Sequence, residues 1–204
     1  MNYEADLVSM FVVNDNLCYW CRRQMKYKKV QFKLNELMVE SFCVYQDISK
    51  EMLIQYKELF DEALYPLFFY PIRKYVKKKY RGYVIVDIPS HTNKVKQRGF
   101  NHLKRMLEVI NLPQQTLFSK NILIEQKHLS FAKRQENSLN LLELIGKVPN
   151  KPILLVDDVC TSGATLLAAI EKIKGHRYPI KALTFSYHEN LGRKKDKWYY
   201  FNEI

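Results

Sequence analysis

The chain has 204 residues, of which 47% are hydrophobic, and this length and composition suit one compact domain with its own core. Lysine and arginine outnumber aspartate and glutamate by 33 to 21, which gives a net charge of +12, and the chain also holds 14 tyrosines and 11 phenylalanines. No stretch approaches the ~20 apolar residues of a membrane span, and the N-terminus lacks a secretory signal pattern, so we expect an intracellular protein. Basic charge beside aromatic side chains suits a phosphate-bearing partner such as single-stranded nucleic acid, although a merely basic soluble protein is the commoner case.

Residues 1–43 are predicted to form a small N-terminal appendage, and residues 44–204 the main domain. Cys18 and Cys21, in CYWC, are half of a zinc-knuckle pattern. The other half is missing because Cys43 stands alone, so a tetrahedral site would need Cys43 and a fourth ligand from elsewhere or from a second chain. We therefore favour ordinary reduced thiols over zinc, and four cysteines in a chain without a signal peptide do not indicate a disulfide framework.

Residues 44–79 are predicted to form one or two helices. Apolar side chains recur there at helical spacing, and Pro66 and Pro71 are expected to break or kink the pattern. Arg73 to Arg81 holds six basic residues, which more often make a solvated face than a nucleic-acid patch.

A strand followed by a loop and a helix is predicted next. YVIVDI, residues 83–88, indicates a buried strand that ends at Pro89-Ser90-His91. A loop over 92–97 then leads to Arg98-Gly99-Phe100-Asn101-His102 and a helix through about Ile110. The loop of this strand–loop–helix unit is expected at the same edge of the sheet as the loops of other units of this kind.

A third short strand is predicted at 122–124, and a polar, basic segment follows it. Residues 126–137 lack apolar periodicity and contain Lys127 and Arg134, which is typical of a mobile loop or lid. A cationic lid of this kind can close over an anionic leaving group and exclude water.

The most informative stretch is residues 151–174, KPILLVDDVCTSGATLLAAIEKIK. The apolar run 153–156 predicts a strand buried on both faces of a parallel sheet, with Asp157 and Asp158 at its carboxyl end, where ligands bind in open α/β sheets. A loop then opens a helix that runs towards Gly175, its predicted C-cap. The loop consists of Thr161, Ser162, Gly163, Ala164 and Thr165. Small residues, hydroxyls and a helix N-terminus together favour a phosphate.

The two carboxylates would repel that phosphate unless they face another group, such as sugar hydroxyls or a divalent metal. A phosphorylated ribose satisfies both halves of the motif. The alternative is that Asp158 begins a turn and Thr161 or Ser162 caps the helix, a common use of these residues. A last strand is predicted at 181–187, followed by a basic, aromatic tail that is either an edge element or a surface.

LLVDDVCTSGAT resembles the phosphoribosyl-pyrophosphate (PRPP) motif of type I phosphoribosyltransferases. With IPSHTNKVKQRGFNH and QKHLSFAKRQEN in the same order, it resembles the ComFC (ComF, GntX-like) family of competence proteins over about residues 44–187. The resemblance implies a mostly parallel α/β sheet flanked by helices, and a site that binds PRPP with Mg²⁺. It implies that Asp157 and Asp158 bind the ribose hydroxyls, that 161–165 bind the 5′-phosphate, and that the loop with Ser90, His91 and Lys94 binds pyrophosphate.

The same resemblance implies a role in the uptake of single-stranded transforming DNA beside a ComFA-type helicase. The location implied is the cytoplasm, with attachment to the inner face of the membrane through partners. Two residues differ from the family pattern: the glutamine after RGFN is His102, and an arginine is replaced by Lys94. The four-cysteine zinc module of the family is also reduced to Cys18 and Cys21.

Three functions remain open from the sequence. The first is a phosphoribosyltransferase whose acceptor the sequence does not identify. The second is a catalytically inactive module that senses PRPP, and the third is a protein that binds single-stranded DNA through residues 73–81 and the aromatic tail. A receiver domain is disfavoured because the paired acids come late in the chain, and a Walker-type nucleotidase because GxxxxGK[ST] does not occur.

Overall fold

The computed structural model describes residues 23–120, 142–191 and 199–200. Its strands are β1 Val30–Leu34, β2 Leu37–Val44, β3 Val84–Asp87, β4 Phe118–Lys120, β5 Leu142–Leu144, β6 Ile153–Cys160, β7 Ile180–Tyr187 and β8 Tyr199–Tyr200. Its α-helices are α1 Asp47–Glu58, α2 Tyr65–Phe69, α3 Arg73–Lys79, α4 Thr92–Arg98, α5 His102–Leu107 and α6 Ala164–Lys172. Short 3₁₀ turns occupy Glu62–Leu64, Glu108–Ile110 and Glu189–Leu191.

Six of these strands form one mixed sheet in the order β3-β6-β7-β2-β1-β8. Neighbours from β3 to β2 are parallel, and β1 runs antiparallel to both β2 and β8. Strands β4 and β5 pair separately as an antiparallel ribbon. The predicted, mostly parallel α/β sheet flanked by helices is confirmed. The carboxyl ends of β3, β6 and β7 lie at the same edge of this sheet.

The predicted domain boundary between residues 43 and 44 falls inside a strand of this sheet. β2 spans it and pairs in parallel with β7, with Val39 opposite Ala182 and Val44 opposite Tyr187. The pairing of β2 with a strand that lies so late in the sequence leaves no local signal for a boundary, and the division at residues 43 and 44 stays a prediction. Residues 1–22 of the predicted appendage lie outside the described ranges.

Apolar side chains cover both faces of the sheet. On one face, Leu154 and Val156 of β6 pack with residues of α1, α2, α3 and α5. On the other, Ile153 and Leu155 pack with α6, with β1 and with the β4–β5 ribbon. This alternation is the period-two pattern of a strand buried on both sides, as the apolar run predicts.

The segment 44–79 contains three helices, one more than the upper number predicted. Pro66 lies in the first turn of α2, where its missing N–H costs nothing, so it starts a helix and does not break one. Pro71 separates α2 from α3. A second difference is α4, because residues 92–97 were predicted as a loop; TNKVKQR has a single apolar residue and therefore no helical periodicity to detect.

The basic run at residues 73–81 is divided between structural contacts and solvent. The Arg73 guanidinium stacks on the Tyr70 ring at 3.4 Å, and Lys79 pairs with the buried Glu40. Lys74, Lys77, Lys78 and Arg81 are exposed. The prediction of a solvated face therefore holds for these four residues, whereas Lys79 is exposed but pairs with Glu40.

Several predictions fall on residues that the structure does not describe. They are the zinc ligands Cys18 and Cys21, the strand at 122–124, the lid residues Lys127 and Arg134, and all of the basic, aromatic tail except the backbone of 199–200. These stay predictions. No helix in the described ranges is long and apolar enough to cross a membrane.

Candidate functional site

The acidic pair lies inside β6 and not after it. The strand continues through both acids to Cys160, and Asp157 pairs in register with Thr184 of β7. Because successive side chains of a strand point to opposite faces, the two carboxylates have different surroundings. Asp158 lies on the face of α1 and α5, and Asp157 on the other.

Asp158 is held by two side chains from different helices. Its Oδ2 atom lies 2.6 Å from Lys57 Nζ of α1 and 2.6 Å from His102 Nε2 of α5. Only 6% of Asp158 is exposed. Burial alone would raise the pKa of Asp158, but the Lys57 charge and the His102 hydrogen bond outweigh it and lower that pKa well below its usual range. Asp158 is therefore a carboxylate at any physiological pH.

Asp157 has the opposite electrostatic character. Its Oδ1 atom accepts the backbone N–H of Asp158 at 2.9 Å. Burial, together with the negative charge of Asp158, raises the pKa of Asp157 to about 7, against the weaker opposing charges of Lys57 and Lys120. Two neighbouring carboxyl groups thus divide into one that is fixed as an anion and one that titrates near neutrality.

The phosphate motif follows directly on β6. Thr161, Ser162 and Gly163 form the turn, and α6 begins at Ala164, so the predicted five-residue loop is three residues of turn and the first two of a helix. Gly163 has φ of +73°, a left-handed conformation that glycine adopts without steric cost. Ser162 Oγ accepts the Ala164 N–H at 3.4 Å, but the N-cap residue of α6 is Gly163 and no side chain caps the helix, so the capping role weighed for Thr161 or Ser162 is not observed. The turn therefore presents hydroxyls and a helix N-terminus at the carboxyl edge.

The predicted pyrophosphate loop lies between β3 and α4. Ser90 Oγ is 3.1 Å from His102 Nδ1, which joins this loop to Asp158. His91 is the N-cap residue of α4, and Lys94 is half-exposed on that helix with its Nζ 4.0 Å from Glu58 Oε1. Ser90 is thus connected to Asp158 through His102, whereas Lys94 is half-exposed and lies near Glu58.

Several residues of this site were not predicted. Lys57, Lys120 and Arg98 each influence the charge of the acidic pair or of its partners. Arg98 is 6% exposed, its Nε donates to the Lys57 carbonyl oxygen at 2.7 Å, and its buried Nη1 has no hydrogen-bond partner among the described residues. Of these three residues, only Arg98 lies in a recognisable motif, RGFN. Lys57 and Lys120 lie in segments without a motif, so the sequence did not indicate them. His102 was noted as a departure from the family pattern but had no role.

The side chains of the described residues do not by themselves form a metal site. Within the described ranges, no group of three or more His, Cys, Asp or Glu could hold a metal ion, and Asp158 is already engaged by Lys57 and His102. Mg²⁺ at this site would therefore be held by oxygens of the ligand. Cys43, the third cysteine considered for zinc, is buried in the core, and burial raises the pKa of its thiol to about 12.

Residues 103–203 match the model of the phosphoribosyl transferase domain. Two solved structures also align with the chain. A hypoxanthine phosphoribosyltransferase from Staphylococcus aureus is 14% identical with a TM-score of 0.40, over 74% of this chain and 71% of that chain. An orotate phosphoribosyltransferase from Mycobacterium tuberculosis H37Rv, in complex with Fe(III) dicitrate, is 12% identical with a TM-score of 0.38, over 85% and 97%. Residues 103–203 are therefore similar to a phosphoribosyl transferase domain.

Two curated relatives specify the family within it. Competence protein ComFC of Bacillus subtilis (strain 168) is 29% identical over 133 residues, which are 62% of this chain and 53% of that protein. Competence protein ComFC of Streptococcus pneumoniae (strain R6) is 33% identical over 92 residues, which are 44% and 40%. The chain is similar to these ComFC proteins, and the matched regions span about half of the length of these relatives.

Proposed function

We propose that this protein binds PRPP at the carboxyl edge of β3 and β6 and acts in the uptake of single-stranded transforming DNA. The observation that carries the proposal is the sequence of features along β6. Two acids of different charge state are followed within three residues by a turn rich in hydroxyls and by a helix N-terminus. A sugar phosphate requires acceptors for its hydroxyls beside donors for its phosphate, and this edge supplies both.

In this proposal the ribose binds to the acidic pair. Asp157 accepts the hydroxyl nearest the open face, and Asp158 accepts through Oδ1, since Lys57 and His102 occupy Oδ2. The backbone N–H groups of the turn, with the hydroxyls of Thr161, Ser162 and Thr165, bind the 5′-phosphate. Fixing Asp158 by two partners orients it before the ligand arrives, which reduces the cost of ordering on binding.

The pyrophosphate group of PRPP would lie towards the β3–α4 loop. Ser90, His91 and Lys94 stand there, and the ammonium groups of Lys57 and Lys120 act on the acids from the neighbouring elements. Mg²⁺ would accompany PRPP and neutralise pyrophosphate charge. Fixed positive groups near the leaving group favour charge separation at the anomeric carbon if an acceptor attacks. Lys127 and Arg134 are the proposed lid residues.

Calorimetric titration of PRPP, with and without Mg²⁺, tests this site. The Asp157→Asn, Asp158→Asn double variant is expected to lose at least tenfold in affinity, because neutral amides replace both acceptors of the ribose hydroxyls. Glu51→Gln with Glu171→Gln removes two exposed carboxylates elsewhere and serves as the charge-matched control. Equal PRPP affinity in the double acid variant and the control would contradict the assignment.

Whether PRPP is consumed or sensed is decided by a separate assay. Release of pyrophosphate from PRPP in the presence of a candidate acceptor would establish a transferase, and binding without release against a broad panel of acceptors would support the sensing role.

The DNA-uptake part of the proposal rests on the family and on the basic surface of α3. Lys74, Lys77, Lys78 and Arg81 are exposed there. Fluorescence anisotropy with a labelled single-stranded oligonucleotide should give an affinity that falls steeply as salt rises, because bound lysines release counterions. A salt-independent affinity would contradict direct binding of DNA by this surface. In that case a ComFA-type helicase would be the protein that contacts DNA. This protein would then be cytoplasmic and held at the inner face of the membrane through partners.

A further inference from the structure

A continuous chain of hydrogen bonds joins the loop after β3 to helix α1. Ser90 Oγ lies 3.1 Å from His102 Nδ1, His102 Nε2 lies 2.6 Å from Asp158 Oδ2, and the same Oδ2 lies 2.6 Å from Lys57 Nζ. His102 is only 3% exposed. Both ring nitrogens are therefore engaged, one by the acidic pair and one by the predicted pyrophosphate loop.

The charge states of the partners fix the tautomer of His102. An ionised carboxylate only accepts hydrogen bonds, so Nε2 must carry the proton that Asp158 accepts. Burial lowers the pKa of His102, against the opposing effect of Asp158, so the ring is neutral at pH 7 and Nδ1 carries a lone pair. The Ser90 hydroxyl must then donate to Nδ1, and its oxygen turns lone pairs towards the loop.

This arrangement is unfavourable for an anion at the loop. A phosphate oxygen needs donors, and in this state the Ser90 oxygen offers none. If His102 takes up a proton, Nδ1–H donates to Ser90 Oγ and the serine O–H becomes free to donate to a phosphate. The same two side chains thus have a state that disfavours an anion and a state that binds it, and one proton separates them.

The groups around His102 permit this change. Asp158 of β6 and Asp87 of β3 favour the imidazolium, whereas Lys57 of α1 and Arg98 of α4 disfavour it. The Tyr56 ring of α1 also packs near the imidazole, and the Tyr56 hydroxyl donates to the His102 carbonyl oxygen at 2.7 Å. A bound polyphosphate would add negative charge on the Ser90 side and shift the balance towards the cation.

We propose that His102 is a positioning residue that couples binding of the pyrophosphate group of PRPP to the uptake of one proton, by turning the Ser90 hydroxyl from the imidazole to the ligand. The proposal rests on the PRPP site proposed above and adds the regulation of that site by pH. Glutamine can bridge Asp158 and Ser90 but cannot take up a proton, so His102→Gln is the matched variant.

Titration of PRPP with Mg²⁺ at pH 7, in buffers of different ionisation enthalpy, measures the protons taken up on binding. PRPP and Asp157 contribute protons of their own, but they do so in each variant, and the difference between variants isolates residue 102. The wild type is expected to take up between half a proton and one proton more than His102→Gln. Between pH 7 and 8 its affinity should fall by up to tenfold more than that of the variant. Ser90→Ala should move proton uptake towards the His102→Gln value.

A second measurement needs only the wild-type protein. The ¹⁵N shifts of the His102 ring are expected to be those of a neutral Nε2–H imidazole without ligand and those of an imidazolium in the saturated complex. Equal proton uptake by the wild type and His102→Gln, or a His102 that stays neutral in the complex, would overturn the proposal while leaving the PRPP site intact. A folded wild type that does not bind PRPP would overturn the proposed function and this inference together.

Discussion

Asp157 and Asp158 are neighbours in the chain but differ in what they do for the stability of the fold. Asp158 is paired with Lys57 and His102, so its charge is compensated. Asp157 has a pKa raised to about 7 by burial and by Asp158. A carboxyl group with a raised pKa in the folded state contributes stability that is present below the pKa of the unfolded chain and is lost as pH rises through about 7. Above neutrality Asp157 therefore destabilises the protein.

Asp157→Asn is accordingly expected to stabilise the protein at pH 8, by about 1–3 kcal/mol, since one pKa unit corresponds to about 1.4 kcal/mol. Near pH 4 the variant and the wild type should differ little, because both side chains are then neutral. Urea unfolding at the two pH values measures this. Asp158→Asn serves as the contrast and should destabilise by about 2–4 kcal/mol at pH 7, since it leaves Lys57 unpaired. A loss of stability in Asp157→Asn at pH 8 would contradict the assignment.

At the residue scale the sequence indicated the acidic pair and the turn proposed to bind phosphate, because all of these residues lie in one short motif. It did not predict Lys57, since a lysine in an amphipathic helix is the ordinary solvated residue. Nor could the sequence show that Asp157 and Asp158 differ, because that difference follows from which helices cover each face of β6.

At the scale of elements, helix α3 is anchored to the sheet by a buried carboxylate. Glu40 of β2 is 1% exposed and accepts hydrogen bonds from the Tyr75 hydroxyl at 2.6 Å, the Tyr80 hydroxyl at 2.7 Å and Lys79 Nζ at 2.9 Å. Burial first, and then the Glu40 charge and hydrogen bond, raise the pKa of both tyrosines. Tyr75 and Lys79 of α3, and Tyr80 after it, thus turn towards Glu40, while Lys74, Lys77 and Lys78 of the helix are exposed.

Glu40→Ala is expected to cost about 3 kcal/mol or more, because three donors lose a buried acceptor at about 1–3 kcal/mol each before relaxation. Lys79→Met is the matched variant; its side chain is partly exposed, and we expect a loss of about 1 kcal/mol. Denaturant midpoints give both values, and amide hydrogen exchange should show α3 losing protection first in Glu40→Ala. Equal losses in the two variants would argue against an anchoring role for Glu40.

Elements with apolar periodicity were predictable and polar ones were not. β3 and β7 were expected within a residue or two of their observed bounds, since continuous apolar runs indicate strands buried on both faces. α4 was missed because Val95 and Arg98 are its contacts with the protein interior and neither makes a pattern. The strand β6 was predicted too short, because acids were taken as its end when they continue it.

For the whole molecule, the sheet depends on strands from both parts of the chain. β2 lies between β7 and β1, so a fragment that starts at residue 44 loses a central strand. We expect this fragment to lack the dispersed amide spectrum of a folded protein, because β7 would lose one of its two backbone partners and expose Leu183 and Phe185. A chain that starts at residue 23 retains every described element and is the control. A folded 44–204 fragment would support the predicted domain boundary.

The place of β2 in the sheet also has a consequence for biosynthesis. Val39 leaves the ribosome long before Ala182, the residue it pairs with, and at about 5–20 residues per second the delay is on the order of ten seconds. During that time β2 can complete the antiparallel hairpin with β1, but its other edge has no partner. Nascent chains would therefore expose an apolar strand edge until β7 is translated, and chaperone binding to this edge should be strongest in chains stalled before residue 180.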